Sequence, residues 1–584
     1  MSDLVSEWAE KFKPGAGPLR VHLIGVAGSG MSGLASLFLG LGHKVSGSDR
    51  VSNSETKRLQ SAGLIFSSPH TAEATSDADV VVYSSAIKPG NAAYDEAVDK
   101  GIQLLRRAEA LAAIMLGSKG IVVGGTHGKT TTSALAAHVL RTGGKHPSHY
   151  VGAEIPILGT NARWDEKGEW FVAEGDESDG TIVNFKPQHA ILLNVEAEHL
   201  DHYTDGLNGI LRTFGEYCDN TAGKIFYCGD DEHARTVCNG RENAVSYGFE
   251  DENDFVAKNL QPNGAGTEFT VVKNGEELGR LRLGIPGRHN VANALAAVAL
   301  AVELEVAFDR INEALATFRG AKRRFEIKRQ SEAVTIVDDY GHHPTEIAAT
   351  IQTARTQHQG RLICLFQPHR FSRTQLLRDE FGRCFDGVDE LWVTDIYPAS
   401  EKPIEGITGQ TVVDAVDELG NVASKQFHPD RASLHLAVGN KLQPGDWVIT
   451  LGAGNIHEVG TRLANDLGRC DELKGIAKES DLAIRLYESM REHTTMKVGG
   501  PAEYWVEPST VEGLANLVKH CADTGTPFRM VGQGSNLLVR DGGIKGVVAH
   551  PNGGDFTALE VTGNTVKAGA GVKLETIAEA AEKA

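Results

Sequence analysis

GIVVGGTHGKTTT, residues 120–132, joins a short apolar run to Gly-Thr-His-Gly-Lys-Thr and opens the helical pattern TTTSALAAHVLR. The full phosphate-loop pattern G-x-x-x-x-G-K-[ST] asks for glycine at 123, where Val123 stands. The physics does not depend on that glycine. Backbone N–H groups of residues 125–130 meet at a helix start and make an anion nest. Lys129 reaches the outer phosphates of a triphosphate, and Thr130 offers a hydroxyl to Mg²⁺. His127 inside the nest is unusual. The plain alternative is a strand-to-helix turn with a solvated lysine.

The same rhythm extends outward. VHLIG at 21, ADVVVYS at 78, FVAEGD at 171, HAILLNV at 189, TIVDDY at 335, LICLFQ at 362 and DWVITLG at 446 alternate with helical patterns. That alternation predicts βαβ units and parallel sheets, an α/β fold. A chain of 584 residues is too long for one core. Composition breaks fall in LGSKG at 116–120, FRGAKRRF at 318–325 and the charged NDLGRCDELKGIAKESD at 465–481. From about 485 the pattern changes to short β-like pieces with the glycine-rich strings VGGP, VGQGSN, DGGIKG and AGAG.

A net charge of −19 argues against nucleic acid or an anionic membrane as the main partner, so an anionic small substrate must be met by local donors. The N-terminus has no apolar signal segment, and no run approaches the roughly 18 apolar residues of a membrane span. Seven cysteines, none in a Cys-x-x-Cys pair, read as free thiols of a cytoplasmic protein rather than a zinc site or a disulfide framework.

Further motifs carry chemistry. In VHLIGVAGSGMSG, residues 21–33, Gly28, Gly30 and Gly33 satisfy G-x-G-x-x-G between a strand and a helix, and Asp49 follows Gly28 by 21 residues, where a ribose-binding acid is placed. The diphosphate this loop suits belongs to NAD or to a UDP-sugar; a tight turn is the bland reading. EGDESDG at 174–180 and LNVEAEHLDHY at 193–203 put carboxylate and imidazole after strands, where Mg²⁺ bridging ATP and a second substrate would sit. Either cluster alone would be a solvated loop. PGRHNVANALAAVALA at 286–301 opens an apolar helix with His289, Asn290 and Asn293, which simple capping also explains. VDDYGHHPTE at 337–346 and FQPHRFSRT at 366–374 both follow strands. Arg370 and Arg373 suit carboxylate or phosphate charge, while one of His342 and His343 reads as a core histidine.

The ordered set GVAGSGMSG, GTHGKTTT, EGDESDG, EAEHLDHY, GRHNVANALAA, AKRRFE, DDYGHHPTE and QPHRFSRT resembles the UDP-N-acetylmuramate:L-alanine ligases of the Mur ligase family, over roughly residues 18–465. Ala27 and Gly175 depart from the family pattern conservatively. The resemblance implies a Rossmann-like UDP-sugar domain at 1–117, a central P-loop ATPase domain at 118–320 and a C-terminal Rossmann-like domain at 321–465. By the same resemblance, Gly28, Ser29, Gly30, Met31, Ser32 and Asp49 take the UDP-sugar. Gly125, Thr126, His127, Gly128, Lys129, Thr130 and Thr131, with Asn290, Asn293, Arg324 and Asp338, take ATP. Thr130, Glu174 and His199 hold Mg²⁺. Lys129, His127, Glu174, His199, His343, Arg370 and Arg373 form the catalytic set.

TTMKVGGPAEYWVEP, VGQGSNLLVRDGGIKGVV and AGAGVKLETIAEAA resemble the FAD-binding part of the UDP-N-acetylenolpyruvoylglucosamine reductases. This implies a linker at 466–484 and a partial FAD-binding domain at 485–584, with flavin pyrophosphate at Gly532, Gln533, Gly534, Ser535 and Asn536. Because the string stops at Ala584, the expectation is a fused tail with weak FAD retention, no reductase activity, and a ligase that works fully after deletion at about residue 475. Three rival readings remain. A recycling ligase would add a whole peptide to the same UDP-sugar. A nicotinamide oxidoreductase built on Gly28, Gly30, Gly33 and Asp49 leaves GTHGKTTT unexplained. A non-catalytic ATP switch leaves the acidic, histidine and arginine positions without a task.

Overall fold

Apolar runs too short for helices and bounded by glycine or acidic turns settle as buried strands. In the computed structural model, which describes residues 3–583 apart from 85, 179, 199–201, 264–265, 400 and 479–481, all eight quoted apolar runs contain one. Two compact units are described in turn, Met1–Arg324 with Gln352–Gln357, and Phe325–Ile351 with His358–Ala584.

In the first unit, five parallel strands lie in the order Ile65–Ser67, Lys44–Ser48, Arg20–Ile24, Val80–Tyr83, Gln103–Arg106. The order reverses beside Arg20–Ile24, the strand that feeds the first glycine loop, and such a reversal opens a ligand crevice at the strand ends. A second sheet has Lys119–Gly124 near its middle, parallel to His189–Leu192 on one side and to Trp170–Glu174 on the other. Ile121, Val122 and Val123 are fully buried there, so Val123 serves the core. Helices Lys129–Thr142 and Arg288–Glu303 pack on each other through buried alanines, among them Ala136, Ala137, Ala294 and Ala297, whose small side chains allow close approach.

The expectation of parallel pairing fails at both ends of this sheet, at one of which Ser148–Tyr150 and Ala162–Arg163 pair antiparallel. At the other, Phe255–Asn263, Gly266–Lys273 and Glu276–Leu283 form an antiparallel meander. Its second turn carries Asn274 and Gly275, both at positive φ, the residues a two-residue hairpin demands.

The second unit has six strands in the order Glu326–Arg329, Val334–Asp339, Asp446–Leu451, Leu362–Phe366, Glu390–Val393, Ser424–Phe427, parallel except at the first. The tail adds a sheet in the order Ala483–Ser489, Pro501–Glu507, Ile544–Ala549, Phe528–Met530. The linker expected at 466–484 is not one over most of its length. Residues His457–Ala477 form a single 21-residue helix, with Asp466, Cys470, Leu473 and Ala477 buried. One apolar cluster runs from Ile336, Leu365 and Val448 through Leu463 and Leu473 to Leu486, Tyr504, Val506 and Leu517. The sequence hid this because the helix is highly charged on its exposed faces. Among the described residues, no helix is long and apolar enough to cross a membrane.

Candidate active site

The first glycine loop begins with Gly25 at φ 89° and reaches helix Ser29–Gly40 through Gly28, which caps it without a side-chain hydrogen bond. That leaves first-turn amides of an uncapped helix start at the crevice. Asp49 does not stand free as a ribose ligand would. Its Oδ2 accepts from Ala27 N at 2.9 Å and its Oδ1 from Arg50 N at 2.7 Å, while Asn53 Nδ2 donates to Ala27 O at 3.0 Å. Together they brace the loop. Met31 and Ser32 are buried in the helix, so they offer a ligand backbone rather than side chains.

At Gly30 and Gly33 side chains from elsewhere in the unit crowd the backbone. A Cβ on Gly30 would lie 2.6 Å from Arg107 Nη1, and one on Gly33 would lie 2.9 Å from the Tyr150 ring. Tyr150 donates to Gly30 O at 3.0 Å and Asn161 Nδ2 to Ser29 O at 2.8 Å, which fastens the helix start to the central domain. Arg107, Tyr150 and Asn161 were missed by sequence reasoning. Tyr150 and Asn161 have no local motif, since their partners lie more than a hundred residues away.

At the second loop, Gly125 at φ 134° and Gly128 at φ 84° give the backbone conformations the nest needs, and Gly128 begins helix Lys129–Thr142. A Cβ at Gly128 would lie 2.5 Å from Asn293 Oδ1, so Asn293 sits directly against the loop. Asn290 Nδ2 donates to Pro286 O at 2.7 Å, while the helix is capped by Gly287 without a side-chain hydrogen bond, so simple capping does not account for Asn290. The nest is smaller than 125–130. Thr126 N donates to Asn194 O at 3.0 Å and His127 N to Asn194 Oδ1 at 2.7 Å, while Asn194 Nδ2 donates to His127 O at 3.1 Å. Among the described residues, the amides of Gly125, Gly128 and the first helical turn, 129–131, are the ones left for an anion. His127 Nε2 lies 3.3 Å from Glu196 Oε2.

Thr130 Oγ1 donates to Glu174 Oε1 at 3.1 Å, and Gly152 N donates to Glu174 Oε2 at 2.7 Å. Lys129 Nζ donates to Gly125 O at 2.6 Å, Thr126 O at 2.9 Å and Glu177 Oε1 at 2.8 Å. Burial pushes the Glu177 carboxyl up to about 7 against the pull of Lys129. Burial opposes the Lys129 charge too, but Glu177, Glu174 and Asp176 hold its pKa above the ordinary lysine value. Asp176 is kept below the usual carboxylate range, burial notwithstanding, by Arg107 at 2.6 Å and by Ser178. A cavity of 170 Å³ is lined by Ser29, Gly30, Arg107, Lys129, Tyr150 and Glu174, so both glycine loops share one wall. His199 lies outside the described residues.

Arg324 is half-buried near the end of the first unit. In the second unit, strands Val334–Asp339 and Leu362–Phe366 flank Asp446–Leu451, which brings the loops holding His343 and Arg370 to one edge. Glu346 Oε2 accepts from His342 N at 3.1 Å and His343 N at 3.4 Å. Arg370, at φ 71°, begins helix Phe371–Leu376, which carries Arg373; both arginines are half-buried. Asp338, assigned to ATP by resemblance, lies within strand Val334–Asp339. It is 0% exposed and accepts from Thr450 Oγ1 at 2.6 Å, so it braces two strands. In the tail, residues 532–536 form a largely exposed loop in which a Cβ on Gly534 would collide with His493 O.

A phosphate-binding helix start with oxygen donors beside it, sharing a cavity with a second glycine loop, defines a nucleotide-binding α/β protein with two ligand loops. Family models match as the Mur ligase family catalytic domain at residues 20–119, the Mur ligase middle domain at 123–301, the Mur ligase glutamate ligase domain at 323–454 and an FAD binding domain at 502–584. The chain is 42% identical over 445 residues to the UDP-N-acetylmuramate–L-alanine ligase of Solidesulfovibrio magneticus, covering 76% of this chain and 96% of that protein. It is 41% identical to the same-named ligase of Geobacter sulfurreducens, with the same coverage. The crystal structure of the UDP-N-acetylmuramate-alanine ligase of Thermotoga maritima matches with a TM-score of 0.68 at 27% identity, over 77% of this chain and all of that one. The chain belongs to the Mur ligase family, among the UDP-N-acetylmuramate–L-alanine ligases, and carries an FAD-binding domain behind the three ligase domains.

Proposed function

We propose that this chain joins L-alanine to the lactyl carboxylate of UDP-N-acetylmuramate using ATP, with UDP-N-acetylmuramoyl-L-alanine, ADP and phosphate as products. The observation that carries this reading is the shared cavity, which places a diphosphate-type loop beside Lys129 and Glu174. A carboxylate oxygen of the sugar attacks the γ-phosphorus, and the bond to ADP breaks. The alanine amine then attacks the acyl phosphate carbonyl and phosphate leaves, so no covalent enzyme intermediate forms. Catalysis is positioning plus charge neutralisation.

Lys129 and the first-turn amides neutralise the transferring group. Thr130 and Glu174 fit Mg²⁺, because a hydroxyl and a carboxylate oxygen 3.1 Å apart are the hard donors that ion takes. Bound there, Mg²⁺ offsets phosphate charge; His199 is assigned to a second ion by resemblance alone. Arg370, Arg373, His127 and His343 are assigned to the acyl phosphate, and Gly532–Asn536 to a flavin pyrophosphate.

Phosphate release from Mg-ATP is expected only when UDP-N-acetylmuramate and an amino acid are both present. The assay compares L-alanine, L-serine, glycine and a tripeptide. Equal hydrolysis without the UDP-sugar sinks the proposal, and preference for the tripeptide makes the chain a recycling ligase. Glu174→Ala and His199→Ala are expected to weaken the response to Mg²⁺ titration more than UDP-sugar affinity, because the diphosphate loop at 28–33 is a separate element. Equal losses in both would contradict the metal assignment.

A further inference from the structure

A lysine ammonium has three N–H donors. At Lys129 all three are taken, by two loop carbonyls and by Glu177. No donor is left for a phosphate oxygen until one of these contacts is given up. The two carbonyls belong to the loop that must stay folded around the ligand. Glu177 is different. Its side chain is 5% exposed, and its Oε2 has no hydrogen-bond partner among the described residues. A buried carboxylate oxygen left idle is destabilising, and of the three partners Glu177 is the one whose side chain can move without unfolding the loop. Tyr203 donates to the Glu177 carbonyl oxygen, which holds the residue's backbone in place while its side chain is free to exchange partners.

We propose that Glu177 is a latch on Lys129, competing with a phosphate oxygen for the ammonium and giving it up when a triphosphate enters the loop. The proposal rests on reading GTHGKTTT as the triphosphate site. Glu177 is a positioning residue in this account, since it acts through Lys129. Removing its charge frees a donor, so the nucleotide no longer competes with a carboxylate.

The test is calorimetric titration of the full chain with Mg-ATP, with steady-state kinetics and thermal unfolding run in parallel. Glu177→Gln is isosteric and is expected to bind Mg-ATP about 10-fold tighter, with a matching fall in the ATP KM and no rise in kcat. Glu177→Asp keeps the charge and is expected to return affinity toward that of the unaltered chain. In a Lys129→Ala background the gain from Glu177→Gln should vanish, because a latch needs its lysine. A gain that persists there means that Glu177 merely repels the triphosphate, and unchanged or weaker binding by Glu177→Gln at an unaltered Tm means that it competes for nothing; either overturns the latch. If the unaltered chain does not bind Mg-ATP at all, the triphosphate reading falls and the latch with it.

Discussion

Lys129→Ala lowers amide formation at least about 10²-fold, measured as phosphate release with saturating UDP-N-acetylmuramate and L-alanine. A preorganised charge on a transferring phosphoryl group is worth roughly 3 kcal/mol or more, and nothing else among the described residues of that loop carries a fixed positive charge. The substitution also strands Glu177, whose side chain is 5% exposed. Loss of stability follows, and it has a pH signature. The Glu177 carboxyl is already raised to about 7 by burial, and without Lys129 it rises further. The folded state then holds a proton that the unfolded state releases, so stability falls as pH rises, and the variant melts lower at pH 8 than at pH 6. Activity lost in proportion to unfolding, or near-normal turnover, would remove Lys129 from the chemistry.

The second large effect concerns the junction with the tail. A chain cut after residue 475 is expected to unfold earlier by about 10 °C, with ligase activity lost at temperatures the full chain tolerates; this reverses the expectation of full activity. The cut removes Leu486, Tyr504, Val506 and Leu517 from a core they share with Leu463 and Leu473. Each such side chain contributes roughly 1.5–3 kcal/mol when buried, and for a body this size 1 kcal/mol moves Tm by about 2–4 °C. Asp466 adds a polar term. It accepts the hydroxyls of Tyr487 and of Tyr504, the latter at 3.1 Å, and pairs with Arg462, which also reaches Glu503 at 2.6 Å. Thermal unfolding followed at tail residues and at residues of the six-stranded sheet of the second unit should give one shared transition. Two separate transitions, or an unchanged Tm after the cut, would falsify a shared core.

Much of the site was legible because its chemistry is local. Lys129, Thr130 and the glycines around them stand in one turn, and Glu174 ends a strand whose neighbour could be guessed. Glu177 was also within a quoted motif, EGDESDG, but nothing in the string says which of its carboxylates meets the lysine. Asp49 and Asp338 show the converse. Both sit where a ligand-binding acid belongs in sequence, yet one braces a loop and the other a sheet. A short-range pattern fixes where a side chain starts, and packing decides where its oxygens go.

The sequence by itself determined the α/β class, the strands, the two glycine loops and the kinship with Mur ligases, because periodicity and turn chemistry act over a few residues. Only the tertiary structure decided that Arg107, Tyr150 and Asn161 close on the first loop, that Asn194 takes two of the nest's amides, and that helix His457–Ala477 belongs to two sheets at once. Those contacts join residues far apart in the chain, and their free energy exists only after the intervening elements have folded and excluded water between them.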